Sequence, residues 1–307
     1  GEIANMGDSV KIIKEPEITV QPYLRGKTIT PQDLDDEDFS LTIDKANYFA
    51  FKVDDIEEAH SHVNFQSLAS DRAAYRLGDQ YDQDVLGYLS GFKQSALHGS
   101  PDTVNTTTNG SVAVSTAGTD ELLSSMKIDA ASFGGSAGDA LALQPRTGGA
   151  TDSTPAVGDT FPLTVIARMS RLLDQQNVDT QGRWLVVDPV FMELLKDEDS
   201  RLFNADFGGS GLQNGLIGMN IHGFRVYTSN NLPTVGTGPS FTGTNSAVNY
   251  GMIVAGHDSA VATAEQINKT ETYRDPDSFS DIVRGMHLYG RKILRPEALV
   301  NAKYHLA

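Results

Sequence analysis

The sequence predicts an α+β fold, and three observations carry that expectation. Residues from Asp54 to about Phe92 hold one long helical pattern; several shorter segments alternate apolar and polar residues as strands do; and Ser95 to Thr160 is dense in Gly, Ser, Thr, Asp and Asn. A chain of 307 residues is long enough for one or two domains, and two lobes is the default reading. There is no cysteine, which excludes disulfides, a thiol nucleophile and a Cys-ligated zinc. The formal net charge of −16 opposes free nucleic acid and anionic membrane as main partners. No run of about 18 apolar residues is present, and residues 1–20 lack the apolar core of a signal peptide, so the chain reads as soluble and non-secreted.

Taken in order, Val10 and Ile12, then Ile18 and Val20, alternate with polar residues around Pro16, which points to an edge strand or an irregular ribbon. After Tyr23, Arg25 and Lys27 comes the acidic run Asp33, Asp35, Asp36, Glu37 and Asp38. Phe39, Leu41 and Ile43 then share one face of a second extended run, and the aromatic-rich Tyr48 to Val53 leads into the helix. The two runs pair as a long hairpin. An isolated two-stranded ribbon is marginal in water, so this one lies on something else, and a neighbouring subunit is one candidate.

In the helical stretch, Asp54 and Asp55 are placed to cap the first amides, and Glu57 and Glu58 suit the positive end of the helix dipole. Leu77, Tyr81, Val85, Tyr88 and Phe92 form one helical face. At about 1.5 Å per residue the whole stretch would reach roughly 55 to 60 Å. Gly78 and Gly87 interrupt it, each at about 1 kcal/mol relative to Ala, and permit a bend. The Gly/Ser/Thr-rich insert is expected to hold short strands near Ser111 to Val114 and a short helix near Glu121 to Met126.

Beyond the insert, Phe161 to Gln176 carries a helical pattern with Pro162 in the first turn, Trp184 to Val187 reads as a short buried strand, and Asp188-Pro189 starts another helix over Val190, Phe191, Leu194 and Leu195. Asn204 to Gly215 and Thr234 to Asn249 are Gly-rich loops flanking a strand at Phe224, Val226 and Thr228. Tyr250 to Ala255 is an apolar strand and Ala260 to Ile267 is amphipathic. Asp281 to Leu294 reads as a strand pair or one long strand, and Arg284, Arg291, Lys292 and Arg295 make it basic.

Catalytic motifs are nearly absent. Gly134, Gly135, Ser136, Ala137 and Gly138 fit G-x-S-x-G, but a nucleophile elbow needs a buried strand before it and a helix after it, and neither is predicted. His60 and His62 point to different faces of a helix, and Asp275, Asp277 and Asp281 read as an acidic loop rather than a calcium site. An enzyme reading has almost no support; no catalytic residue, metal ligand or cofactor is assigned.

The order of elements, with the stretches Ile18 to Lys52 (ITVQPYLRGKTITPQDLDDEDFSLTIDKANYFAFK), Arg183 to Leu195 (RWLVVDPVFMELL), Leu216 to Pro233 (LIGMNIHGFRVYTSNNLP) and Tyr289 to Val300 (YGRKILRPEALV), resembles the major capsid proteins of tailed bacteriophages, which share the Hong Kong 97 fold. The resemblance implies four segments: residues 1–53 as N-terminal segment and extended hairpin loop, 54–160 as peripheral domain with a spine helix and the insert, 161–264 as axial domain, and 265–307 returning to the peripheral domain. The family's usual N-terminal arm would lie before Gly1.

The function implied is self-assembly, as hexamers and pentamers, into an icosahedral shell around the double-stranded DNA of a tailed phage, in the host cytoplasm. A scaffolding protein, a portal and a cement protein are implied partners, with weak non-specific contact to DNA and none to membrane. The hairpin residues Tyr23, Arg25, Lys27, Asp35, Asp36, Glu37 and Asp38 would contact a neighbour, with Arg284, Arg291, Lys292 and Arg295 as basic partners. Some relatives crosslink lysine to asparagine, and Lys27 lies near the loop tip. An encapsulin-like nanocompartment shell, or a soluble α+β binding protein or enzyme, are the alternatives.

Overall fold

The computed structural model describes residues 9–13, 25, 38–43, 45–54, 65–91, 122–144, 159–196, 220–235, 239 and 250–306. Its elements in chain order are β1 (Ser9–Ile13), β2 (Asp38–Thr42), β3 (Lys45–Asp54), α1 (Phe65–Leu89), β4 (Lys127–Ile128), β5 (Leu141–Leu143), β6 (Asp159–Thr160) and α2 (Pro162–Gln175). There follow β7 (Arg183–Val187), α3 (Pro189–Leu195), β8 (Asn220–Ile221), β9 (Phe224–Thr228), β10 (Thr234–Val235), β11 (Tyr250–His257), β12 (Val261–Arg274), β13 (Ser280–Ile293) and β14 (Leu299–Leu306).

The larger sheet has nine strands in the path β6-β5-β14-β11-β7-β9-β8, with β10 added to β11 and β4 to β14. Its centre is β11, whose residues Tyr250 to Gly256 are all buried, the continuous apolar run expected of a strand covered on both faces. Gly256 is required where it stands. A Cβ there would lie 2.9 Å from both Leu299 and Trp184 on the flanking strands, so only glycine lets those side chains close over the backbone.

α2 turns Val165, Ile166, Met169 and Leu173 into this core, and its proline occupies the first helical position, where no amide hydrogen is needed. α3 begins as the Asp-Pro pair predicts: the Asp188 carboxylate accepts the Phe191 amide at 3.1 Å, and the Tyr304 hydroxyl donates to the same carboxylate from β14. Burial raises the pKa of both Asp188 and Tyr304, so the hydroxyl keeps its proton and the cap is tied to the central sheet.

The smaller sheet is β12-β13-β3, fully antiparallel, with β13 in the middle. β1 and β2 form a separate antiparallel ribbon that pairs Ser9 with Thr42 and Ile13 with Asp38. The expected hairpin pairing is therefore present at its root, while residues 14–24 and 26–37 lie outside the described residues.

Three expectations change. Asp54 does not cap a helix; it is the last residue of β3, in register with Ser280, because pairing along the alternating run Lys45–Asp54 outweighs a local capping preference. The described helix accordingly starts at Phe65, and its 25 residues span about 37 Å rather than 55 to 60 Å. It runs unbroken through Gly78 and Gly87. Asp55, Glu57, Glu58, His60, His62 and Phe92 lie outside the described residues, as do Ser111 to Val114 and Asn204 to Gly215.

The short helix expected near Glu121 to Met126 is a single 3-10 turn, Ser124–Met126. The amphipathic run Ala260 to Ile267 belongs to β12, with a bulge between Glu265 and Ile267, and Asp281 to Leu294 is one long strand. The nine-stranded sheet takes β4, β5 and β6 from residues 54–160 and β14 from residues 265–307.

Candidate functional site at the long helix and the three-stranded sheet

Strand alternation gives the smaller sheet two faces of opposite character. The odd-numbered residues of β13 face α1. There Asp84, fully buried, accepts Arg291 Nε at 2.5 Å and Arg291 Nη2 at 2.7 Å, a bidentate pair, and the Tyr289 hydroxyl at 3.0 Å. The guanidinium lies 4.2 Å over the Tyr88 ring. Tyr81 meets Tyr289 and His287 edge-on, with ring centroids at 4.8 and 5.5 Å. Burial, and then the Asp84 charge, push the Tyr289 pKa well above the usual phenol range, so the hydroxyl stays a donor.

This joint fixes the helix in place. Deleting one partner of a buried ion pair costs about 3–5 kcal/mol because the other charge is left stranded. The end of the helix is held by the larger sheet as well, since Asn301 Nδ2 donates to the Ser90 carbonyl at 2.9 Å. Val85 and Tyr88 pack on the main core, whereas Asp71, Arg72, Ala74, Tyr75 and Arg76 are exposed. One half of α1 is thus clamped between both sheets, while the turns from Asp71 to Arg76 carry mostly exposed side chains.

The even-numbered residues of β13 form the second face. At one end, Leu288 and Ala264 pack against Leu41 and Ile43 of the ribbon root. Gly290 lets the ribbon cross there: a Cβ would lie 2.4 Å from the Thr42 carbonyl oxygen. Further along, the rows across the sheet are Tyr48-Met286-Lys269, Ala50-Arg284-Glu271 and Lys52-Ile282-Tyr273. Tyr48 is 81% exposed, Tyr273 42% and Met286 41%. Lys269 and Arg284 both pair with Glu271, the latter at 2.9 Å, and Lys52 pairs with Asp275 at 2.7 Å. These cations hold both carboxylates below the usual range.

The turn between β12 and β13 is ordered by Asp275, which accepts the Asp277 amide and the Ser278 hydroxyl. Asp281 pairs with Arg274 at 3.2 Å. The three aspartates considered for calcium thus bind protein groups in Asp275 and Asp281, and no cluster of His, Asp and Glu among the described residues has the geometry to hold a metal. Ser136 lies exposed in a loop after the 3-10 turn Ala130–Phe133, with Gly134 and Gly138 at φ 90° and 89°; Asp129 Oδ2 accepts the Gly138 amide at 2.9 Å. That is a capped loop, without the strand–turn–helix setting of a nucleophile elbow. No described helix is long and apolar enough to cross a membrane.

Of the hairpin residues singled out in the sequence, Arg25 occupies an exposed turn and Asp38 opens β2, while Tyr23, Lys27, Asp35, Asp36 and Glu37 lie outside the described residues. The four basic candidates separate. Arg291 is held inside the joint; Arg284 lies on the open face; Lys292 is half-buried on the same face beyond Gly290, where the ribbon root crosses; Arg295 pairs with Glu297 at 3.0 Å. Leu77 is half-buried and precedes the clamped half of α1. Sequence reasoning missed Asp84, although a carboxylate one position before Val85 on an apolar helical face is a readable signal. It also missed Tyr48, Tyr273 and Met286, whose common face exists only once the strands pair.

The sequence profile of a family described as phage capsid protein matches residues 36–302, nearly all of the chain and every element just described except β1 and the end of β14. The chain belongs to the phage capsid protein family. It is a major capsid protein, a structural component of an icosahedral bacteriophage shell. A structure from Mycobacterium phage Che8 is 25% identical, with TM-score 0.60, covering 96% of this chain and 84% of that one. The capsid of cyanophage P-SCSP1u shares the fold at 16% identity and TM-score 0.65, covering 98% and 85%. The capsid of Ralstonia phage GP4 does so at 13% identity and TM-score 0.64, covering 99% and 85%. A comparison with curated protein sequences gives no match.

Proposed function

We propose that this capsid protein builds the wall of the shell with two unequal lobes. The peripheral lobe is α1 with the β12-β13-β3 sheet, and the axial lobe is the nine-stranded sheet with α2 and α3. The subunit assembles with itself as hexamers and pentamers, and the ribbon rooted at β1 and β2 reaches an adjacent subunit. The observation that carries this reading is the ribbon root. It pairs with itself, touches its own chain through a small apolar cluster at Leu41 and Ile43, and leads into 24 further residues, 14–37, that include the acidic run.

Within this reading Asp35, Asp36, Glu37 and Asp38 meet basic side chains of the neighbour, with Arg284 favoured by its position on the open face. Scaffolding protein, portal and cement protein complete the particle, which forms in the host cytoplasm around double-stranded DNA. The acidic chain keeps that DNA mobile through repulsion. Expression of the chain followed by negative-stain microscopy is expected to give closed particles. Charge reversal at Asp35 and Asp36 that left particle yield and stability unchanged would sink the clamp, and a strong DNA shift by purified subunits would contradict the repulsion.

A further inference from the structure

We infer that His257 is a pH-sensitive lock on the corner where the chain passes from the nine-stranded sheet into the three-stranded one. The inference goes beyond the shell reading and does not depend on which lobe stands nearer a capsid axis. β11 ends at His257, and a single 3-10 turn, Asp258–Ala260, separates it from β12. The return passage, from β13 to β14, runs against the same turn. There the buried Ala260 accepts the amides of Leu294 at 2.8 Å and Arg295 at 3.2 Å. Whatever holds this turn therefore holds the outgoing and the returning passage together.

The hydrogen bonds fix the state of the ring. Nε2 lies 2.8 Å from the Gln181 carbonyl, which only accepts, so Nε2 carries the proton. Nδ1 lies 3.2 Å from the Ser259 amide, which only donates, and 2.8 Å from the Ser259 hydroxyl, so Nδ1 is an acceptor. The ring is thus neutral while it caps the turn, and it ties the end of β11 to the loop ahead of β7. Protonation sets a hydrogen on Nδ1 against the Ser259 N–H and removes the cap. The charged ring has another partner beside it. A Cβ at Gly182 would lie 3.1 Å from Asp258 Oδ2 and 3.3 Å from His257 Nε2, so carboxylate and ring flank the same point. The other charged groups here are already bound. Arg183, opposite His257 in the ladder, pairs with Asp174 at 2.7 Å and donates to the Asp179 carbonyl; the Asp179 carboxylate accepts the Gln181 amide; Arg295 pairs with Glu297. The neutral ring closes the corner, and the charged ring, drawn to Asp258, opens it.

Hydrogen exchange on the full chain, corrected for the intrinsic pH dependence of exchange, reads the lock directly. On lowering the pH from about 7.5 to about 5.5, the amides of Ser259, Leu294 and Arg295 are expected to exchange about fivefold faster, while Ile253 in mid-β11 keeps its protection. A ratio that stays flat across that range overturns the inference. His257→Asn keeps a capping side chain that does not titrate, and it is expected to hold neutral-pH protection while abolishing the acid response; an undiminished acid response in this variant overturns the inference too. Asp258→Asn takes the partner from the charged ring and is expected to move the midpoint of the response to lower pH, and an unmoved midpoint would refute the switch. Nitrogen chemical shifts of the imidazole in the native chain give a readout that needs no variant. They are expected to show the neutral ring protonated on Nε2 near neutrality, and a proton on Nδ1 there would overturn the lock.

Discussion

The two sheets of this subunit solve the same packing problem differently. The nine-stranded sheet is covered on both faces at its centre, where Ile166, Met169, Leu185, Phe191 and Ile253 are fully buried, while β9 exposes Arg225 and Tyr227. The three-stranded sheet is covered on one face by α1, through a charged and aromatic joint, and on the other, among the described residues, at the ribbon root. A lobe that is complete by itself is suited to be the rigid body of a subunit. On the proposed clamp, the lobe with the open face is completed by a neighbour, which couples its order to assembly.

Perturbations of the two lobes therefore have different consequences. The largest effect is expected from Phe191→Ala, which empties a buried site against Tyr304 and costs about 3–5 kcal/mol. Denaturant unfolding of the isolated subunit would show it, and assembly is not expected to rescue it.

Asp84→Ala strands Arg291 in the joint, at about 3–5 kcal/mol. Asp84→Leu combined with Arg291→Met is expected to recover most of that loss, and a double-mutant cycle in thermal melting measures the coupling; additive single effects would show that the pair does not position the helix. Gly290→Ala forces the ribbon root away from the sheet and is expected to cost about 1–3 kcal/mol, with hydrogen exchange rising in β2.

Gly78→Ala should do the opposite. The position is exposed, its Cβ would meet nothing within 4 Å, and the helix gains about 0.4–1 kcal/mol. Subunit melting rises slightly if the clamped half of α1 holds the rest in a plain helix; a loss of stability would show that the glycine serves an unusual backbone geometry.

The smallest effect concerns pH. Asp275 is held below the usual carboxylate range first by the Lys52 hydrogen bond, so its ionised form favours the folded turn. That contribution is complete above about pH 4 and fades as pH falls toward the lowered value. Lys52→Met is expected to flatten acid sensitivity in the β12–β13 turn, read by hydrogen exchange at low pH, without changing it near neutrality.

Much of this was legible locally. Pro162, Asp188-Pro189 and the Tyr81, Val85 and Tyr88 stripe announce their helices through interactions within a few residues, and the structure keeps them. Strand β14 was not legible: Asn301, Lys303 and His305 interrupt its apolar run, and its partners β11, β4 and β5 lie far away in sequence. The same reason hid the open face. Tyr48, Met286 and Tyr273 come from three segments, and nothing in any one of them says that they share a surface.

By itself the sequence determined the mixed fold class, the starts of α2 and α3, the acidic balance and the presence of a ribbon, because composition and short-range pattern are enough for those. Only the tertiary structure decided that Asp54 ends a strand, that Asp84 meets Arg291 and Tyr289, and that β11 is buried from Tyr250 to Gly256 while Tyr48 and Met286 are left exposed by the described residues. Each of these depends on residues far apart in the chain being desolvated together, and the energy of burying a charge or leaving a face bare has no value until its partner is in place.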